Sequence, residues 1–303
     1  MELLKEMCSI HAPSGNERAM TQFLLNYINK HQDGWKVKPE IFSGDGFQNC
    51  IILVFGKPRT AVYAHIDNIG FTVRYNNQLV KIGGPHADSG TQLYGQDNQG
   101  PVECELLIDD EHDYKYKSSR QIDRGTDLSY APFWVEDAEF VQCCYMDNRL
   151  GVYNALQLCE TTEDGAIVFS CWEEHGGGSV PYLVKFLYDK YKICQALISD
   201  ITWITEGVLP GEGVVISMRD TGIPRREYVD KIISLAKSSG IHFQLDVEGS
   251  GGSDGTEIQK QGYPVDWCFI GAAEQNVHSP KEKVNKKDIA AMMALYRYLM
   301  KAL

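Results

Sequence analysis

From Asp147 to the C-terminus, short apolar runs alternate with amphipathic helical stripes, and that alternation leaves few folds open. The spacing predicts a helix over Asn148–Thr161, with Val152, Leu156 and Cys159 on one face, then a strand over Ala166–Trp172. A helix over Val180–Tyr191 carries Pro181 in its first turn, where proline is tolerated. Strands over Gln195–Ser199 and Val214–Met218 precede a helix over Arg225–Ser239 with Val229, Ile232, Ile233 and Ala236 inward. Strands over His242–Val247 and Val265–Ala272 lead to a last helix capped by Asn285, its face made of Ile289, Met292, Met293, Tyr296, Met300 and Leu303. Near the N-terminus, Ser14-Gly15-Asn16-Glu17 reads as a capping box ahead of a helical face of Met20, Phe23, Leu24, Tyr27 and Ile28. Cys50–Phe55 and Thr60–Ala64 read as strands, apolar enough to be covered on two faces. Strands that alternate with helices imply an α/β fold, a mostly parallel or mixed sheet with helices on both faces.

Between Phe71 and Val141 the texture changes. Gly, Asp, Asn and Gln become frequent, and apolar residues come in short alternating bursts such as Leu79-Val80-Lys81-Ile82. This predicts a small inserted β-rich domain over 71–141, interrupting an α/β unit made of 1–70 and 142–303. The formal net charge of -12 argues against nucleic acid and against an anionic membrane surface as partners. The apolar run Ile51–Phe55 falls far below the ~20 residues of a spanning helix, and the first residues lack a signal-peptide pattern. Nine cysteines, an odd number with no Cys-x-x-Cys pair, read as reduced thiols. Only the vicinal Cys143-Cys144 suggests redox sensitivity. A cytoplasmic location is the expectation.

In open α/β sheets the working site lies beyond the carboxyl ends of the strands. There the sequence places His65 and Asp67 after Thr60–Ala64, Glu173 and Glu174 after Ala166–Trp172, Asp200 after Gln195–Ser199, and His278 shortly after Val265–Ala272. Asp147 opens the helix that follows the insert. Singly, each has an ordinary explanation: a solvated strand end, a helix cap, acids favouring a helix N-terminus, a loop histidine. Jointly, five carboxylates at one sheet edge would repel one another without a cation, and two imidazoles complete an N/O set suited to zinc, cobalt or manganese. A pair of divalent ions needs a bridging carboxylate and terminal ligands on each side, and one carboxylate must stay free to take a proton. Adjacent glutamates can divide those duties.

The ordered series His65-x-Asp67, Asp147, Glu173-Glu174, Asp200, His278 resembles the cocatalytic metallopeptidases of zinc-peptidase-like α/β fold. The insert lies in the 80-position gap between Asp67 and Asp147, as in the glutamyl/leucyl aminopeptidases that include the tetrahedral particles. Ala12–Glu17, Ala64–Phe71, Met146–Gly151, Gly252–Gly255 and Val277–Pro280 are similar to the same family. The resemblance implies a catalytic α/β domain and an aminopeptidase acting on peptides with a free N-terminus. It implies two divalent ions per subunit, zinc first and cobalt or manganese as alternatives. His65 and Asp200 would hold one ion, Glu174 and His278 the other, and Asp147 would bridge them. Asp67 would orient His65, and Glu173 would act as general base. A homo-oligomer is implied too. Where the family has a bulkier loop, this chain has His175-Gly176-Gly177-Gly178-Ser179, making His175 a candidate substrate contact alongside Ser253 and Asp254. Three rival readings stand beside this one. The same centre could serve a deacylase or carboxypeptidase, or a metal-binding relative without catalysis. A serine hydrolase built on Gly251–Gly255 fits poorly, since only 50 residues follow Ser253 and the acid series would go unexplained.

Overall fold

A computed structural model describes residues 1–110 and 113–303. Its larger sheet has eleven strands among the described residues, and its centre is the parallel set Gly165–Ser170, Ala61–His65, Gln195–Trp203 and Asp266–Gln275. All of Ala61–His65 and Gly165–Ser170 is buried, which is why these runs carry no polar alternation. Antiparallel strands flank the set. Gln48–Phe55 pairs with Gly165–Ser170, and Glu282–Asn285 pairs with the end of Asp266–Gln275. Val214–Arg219 runs antiparallel to Asp266–Gln275 and carries Phe243–Val247 on its outer side as an edge strand. The sheet is therefore mixed, with a parallel heart.

Helices Met146–Cys159, Arg226–Ser239 and Lys286–Ala302 pack together along the sheet, and Val180–Tyr191 packs with the short helix Asp254–Gln259. Tyr296 anchors the last helix by donating to the carbonyls of Ile198 (2.6 Å) and Ile270 (2.9 Å) on adjacent strands. No helix among the described residues is long and apolar enough to cross a membrane.

A second, antiparallel sheet has six strands in the order Leu79–Ile82, Gly70–Val73, Asp127–Tyr130, Gln92–Asp97, Gly100–Ile108 and Tyr114–Lys117. A bridge between Gln78 and Lys115 brings its first and last strands together, so the sheet curls towards a barrel. The following strands, Val135–Glu136 and Phe140–Cys143, hydrogen-bond to the larger sheet.

Several local expectations change. The helix after the capping-box segment starts at Arg18, and Ser14 does not cap it; its hydroxyl donates instead to Asp67 at 2.5 Å. The strand Gln195–Trp203 runs four residues past Ser199, carrying Asp200 inside it rather than in a turn. All nine cysteines are free, and only Cys194 is exposed.

Candidate active site

Asp67 organises one side of the site. It lies two residues beyond His65, in the extended segment leaving the central strand, and is fully buried. His65 Nδ1 sits 3.2 Å from the Asp67 carbonyl oxygen and 3.5 Å from Oδ1. The carboxylate also accepts from the backbone N–H groups of Glu173 and Glu174, both at 3.1 Å, and from Ser14. One side chain thus fixes the imidazole and the turn that presents both glutamates. Burial works against its charge, but His65 and the hydrogen bonds hold its carboxyl below the usual range.

Asp147 reaches the same spot from the other direction. It lies in the first turn of Met146–Cys159, yet its ψ of 108° is not helical, and Tyr145 before it has a φ of 66°. The unwound turn aims the carboxylate at the strand ends. Asn148 braces it by donating to the Ser199 carbonyl and accepting from Gly151 N–H, each at 2.9 Å. The two oxygens of Asp147 then part: Oδ1 lies 3.2 Å from His65 Nε2, and Oδ2 lies 3.2 Å from His278 Nε2. Asp200 Oδ2 is 3.6 Å and Glu173 Oε2 3.9 Å from His65 Nε2, while Glu174 Oε2 is 3.2 Å from His278 Nε2.

These residues form two donor groups that share Asp147, an N/O set that fits divalent metal. Donor atoms of His65, Asp147 and Glu174 all lie within 4.8 Å of one another, and Glu174 Oε1 is buried with no hydrogen-bond partner. The charge balance points the same way. Burial disfavours the His278 cation, yet Asp147 and Glu174 push its imidazole up to about 12. Burial likewise opposes the charge on His65, and Asp200, Asp147, Asp67 and Glu173 overcome it. Both imidazoles sit where positive charge is strongly favoured, which is what a cation between these acids would supply. Burial pushes Glu173 well above the carboxylate range, against His65 and reinforced by Glu174 and Asp200.

The inserted sheet contributes the roof. The Gly84 carbonyl oxygen is 3.2 Å from His278 Nδ1, and His86 N–H and Tyr130 OH both donate to the His278 carbonyl. From the larger sheet, Glu282 accepts from His278 N–H (2.9 Å) and from Asp147 N–H (3.3 Å). Sequence reading missed Glu282 and its buried neighbour Glu274. Neither follows a strand in the pattern used to find the others.

The remaining candidates lie elsewhere. His175 is exposed, and its Nδ1 accepts from Gly83 N–H at 3.1 Å, tying the glycine loop to the insert. Ser253 is buried and caps Asp254–Gln259 by accepting from Gly255 N–H. Asp254 is buried behind the centre, accepts from Ser170, and is pushed up to about 6 by that burial. The cavity at the centre is lined by Ser250, Gly251 and Gly252 from this segment, with none of these three candidates on its wall. Ser253 is therefore placed as a helix cap, not as an exposed nucleophile.

The model of the M42 glutamyl aminopeptidase family matches residues 85–295. The chain belongs to that family. It is a metal-dependent aminopeptidase, a hydrolase that uses divalent metal. The match begins after His65 and Asp67, which the fold brings to the matched residues. A curated protein of Acetivibrio thermocellus, provisionally named an aminopeptidase, is 26% identical over 324 residues, covering 95% of this M42 chain and 94% of its own. Among solved structures, an aminopeptidase of the archaeon Desulfurococcus kamchatkensis superposes with a TM-score of 0.87 at 18% identity, over 100% of this chain and 94% of its own. The TET1 peptidase of Pyrococcus horikoshii, described as assembling into a tetrahedron or a large octahedral shell, gives 0.82 at 19% identity, over 99% and 98%. These likenesses establish the fold.

Proposed function

We propose that this M42 chain removes the first residue of peptides at a dinuclear centre. His65 and Asp200 would hold one cation, Glu174 and His278 the other, and Asp147 both, with zinc the favoured metal for this N/O set. The observation that carries this reading is the division of Asp147, one oxygen facing each imidazole at 3.2 Å. When bound, the cations polarise the scissile carbonyl and acidify the attacking water. Glu173 takes the proton from that water on its carboxylate and then delivers it to the leaving amine. Burial raises its affinity for a proton above that of an exposed carboxylate, the direction a group that accepts and then passes on a proton needs. Asp67 holds the turn so that Glu173 and Glu174 stay in place, and its hydrogen bonds to both backbone N–H groups support that role.

The test is a set of fluorogenic aminoacyl substrates, free and N-acetylated, on chelator-stripped and metal-restored protein. Hydrolysis should need metal and a free amine. Cleavage of the N-acetylated set instead would favour the deacylase or carboxypeptidase reading. Glu173→Gln should keep its metal while turnover falls by roughly 10²–10⁴-fold, the usual size of a general base's contribution. A variant that turned over normally would remove Glu173 from the mechanism.

A homo-oligomer and a cytoplasmic location belong to the same proposal. The first is supported by the assembly described for the Pyrococcus horikoshii relative, the second by nine free thiols. So does the division into 1–70 with 142–303 and an insert at 71–141: the separate second sheet supports an insert, although the strands Val135–Glu136 and Phe140–Cys143 join the larger sheet and draw the insert's end back towards Tyr130. Light scattering of the purified chain would test the oligomer, and a monomer would count against it.

A further inference from the structure

The edge strand Phe243–Val247 is built inside out. Leu245 is 41% and Val247 63% exposed, whereas Asp246 between them is 4% exposed. Alternation along a strand sends Asp246 to the opposite face from its apolar neighbours, towards the interior. There it lines the cavity of about 270 Å³ that also holds the metal-binding groups. Burying a carboxylate while leaving leucine and valine in water opposes the hydrophobic pattern, and among the described residues no side-chain cation pairs with it. Among the described residues, Asp246 makes no ion pair, and neither do Asp220 and Glu248 on the same wall. Arg219, whose charge is felt at Asp220, donates to the backbone carbonyl of that residue. No lysine or arginine lines the cavity.

The distance from the centre is set by one strand. Thr202 lies two residues beyond Asp200, hence on the same face and about 7 Å further along. Its hydroxyl donates to Asp246 Oδ2 at 3.3 Å. Trp203, the next residue along, also lines the cavity, with Gly251 laid against its ring. A substrate whose amino terminus sits at the metals would send its first side chain along this wall. A four-carbon or guanidinium-tipped stem spans the distance, packs on the indole and places its charge by Asp246.

We propose that Asp246, with Asp220 and Glu248 beside it, selects substrates whose first residue is lysine or arginine. This rests on the aminopeptidase reading and narrows it. It also departs from the glutamyl description of the family, because a glutamate side chain would meet three carboxylates.

The test uses the full-length, zinc-restored protein with lysyl, arginyl, leucyl and glutamyl aminomethylcoumarins. The kcat/KM for lysine and arginine should exceed that for leucine by at least tenfold and that for glutamate by more than a hundredfold. Asp246→Asn should lower the lysine value at least tenfold, chiefly through KM, and leave leucine within about threefold. Leucine or glutamate turned over as well as lysine would overturn the proposal. So would an Asp246→Asn variant that depressed leucine as much as lysine, since that marks a structural role. If none of the four is cleaved, the activity reading fails, and calorimetry with lysine, leucine and glutamate hydroxamates still decides the pocket. Lysine hydroxamate bound tenfold more tightly than the others supports it, and equal or weaker binding refutes it.

Discussion

Asp67 commits both carboxylate oxygens and its carbonyl to neighbours at the centre: Ser14, His65 and the N–H groups of Glu173 and Glu174. Asp67→Asn would turn an amide NH₂ towards one of those N–H donors, leaving a buried donor unsatisfied. We expect metal affinity to fall about 10- to 100-fold, as for other partners of metal-bound histidines, with turnover falling too. Competition with a graded chelator measures the first. Unchanged affinity would show that the turn holds itself. His11, outside the metal-binding set, offers a stability test. Burial, aided by the nearby Arg149 charge, holds its imidazole down at about 4. The folded protein keeps His11 neutral where the unfolded chain, with an ordinary pKa near 6.5, has begun to bind a proton. The contribution is therefore fully present above that unfolded value and is lost as pH falls from about 6.5 towards 4. Between pH 7 and 5 the loss should be about 2 kcal/mol. Urea denaturation of the metal-free protein at both values should show it, and His11→Gln should reduce the difference by that amount.

Among the elements, the helix Met146–Cys159 approaches the sheet at Gly151 too closely to admit a side chain. A Cβ on Gly151 would stand 2.0 Å from the Ser199 carbonyl oxygen and 2.2 Å from Asn148 Oδ1. Gly151→Ala must therefore lift the helix from the strand that carries Asp200, and with it the turn bearing Asp147. Overpacking of this kind costs about 1–3 kcal/mol. We expect a lower urea midpoint together with weaker metal binding. Lost stability with intact metal affinity would mean that Asp147 is placed by Glu282 alone. Such contacts also mark where sequence reading ran out. Hydrophobic period found the central strands, because strands buried on both faces leave unbroken apolar runs, and their ends located His65, Glu173 and Glu174. The Ser14 capping box misled, since a serine near a helix start has the same spelling whether it bonds the helix or a distant carboxylate. Glu282 was invisible because its duty, holding two backbone N–H groups from different elements, leaves no spacing. Asp246 was hidden inside a run read simply as a strand; only exposure revealed that its polarity is reversed.

Over the whole molecule, the centre gathers the central strand with its Asp67 turn, the Met146–Cys159 helix, the Glu173–Glu174 turn, the Asp200 strand and the His278 loop, with the inserted sheet bonded onto the last. Behind them lie two further buried acids, Glu282 and Glu274, the latter with neither oxygen hydrogen-bonded. Burial pushes both well above the carboxylate range, and Asp147 adds to the push. So many acids in one dry region stabilise the fold only if something positive joins them. Metal bound there would act as a cross-link between segments as far apart in sequence as His65 and His278. A ligand present at about a thousand times its dissociation constant stabilises the folded state by ~4 kcal/mol. For a chain somewhat larger than those for which ~1 kcal/mol shifts the melting temperature by ~2–4 °C, stripping the metal should lower it by roughly 10 °C. Differential scanning calorimetry before and after chelation, then after zinc is restored, measures this directly. The glycine-loop and insert contacts that close on His278 should loosen in step, so amide exchange near Gly83–His86 should quicken in the stripped protein and slow again with zinc. A melting temperature indifferent to chelation would mean that the protonated imidazoles alone hold these acids together, and the centre would then be a structural ion-pair network rather than a hydrolytic one.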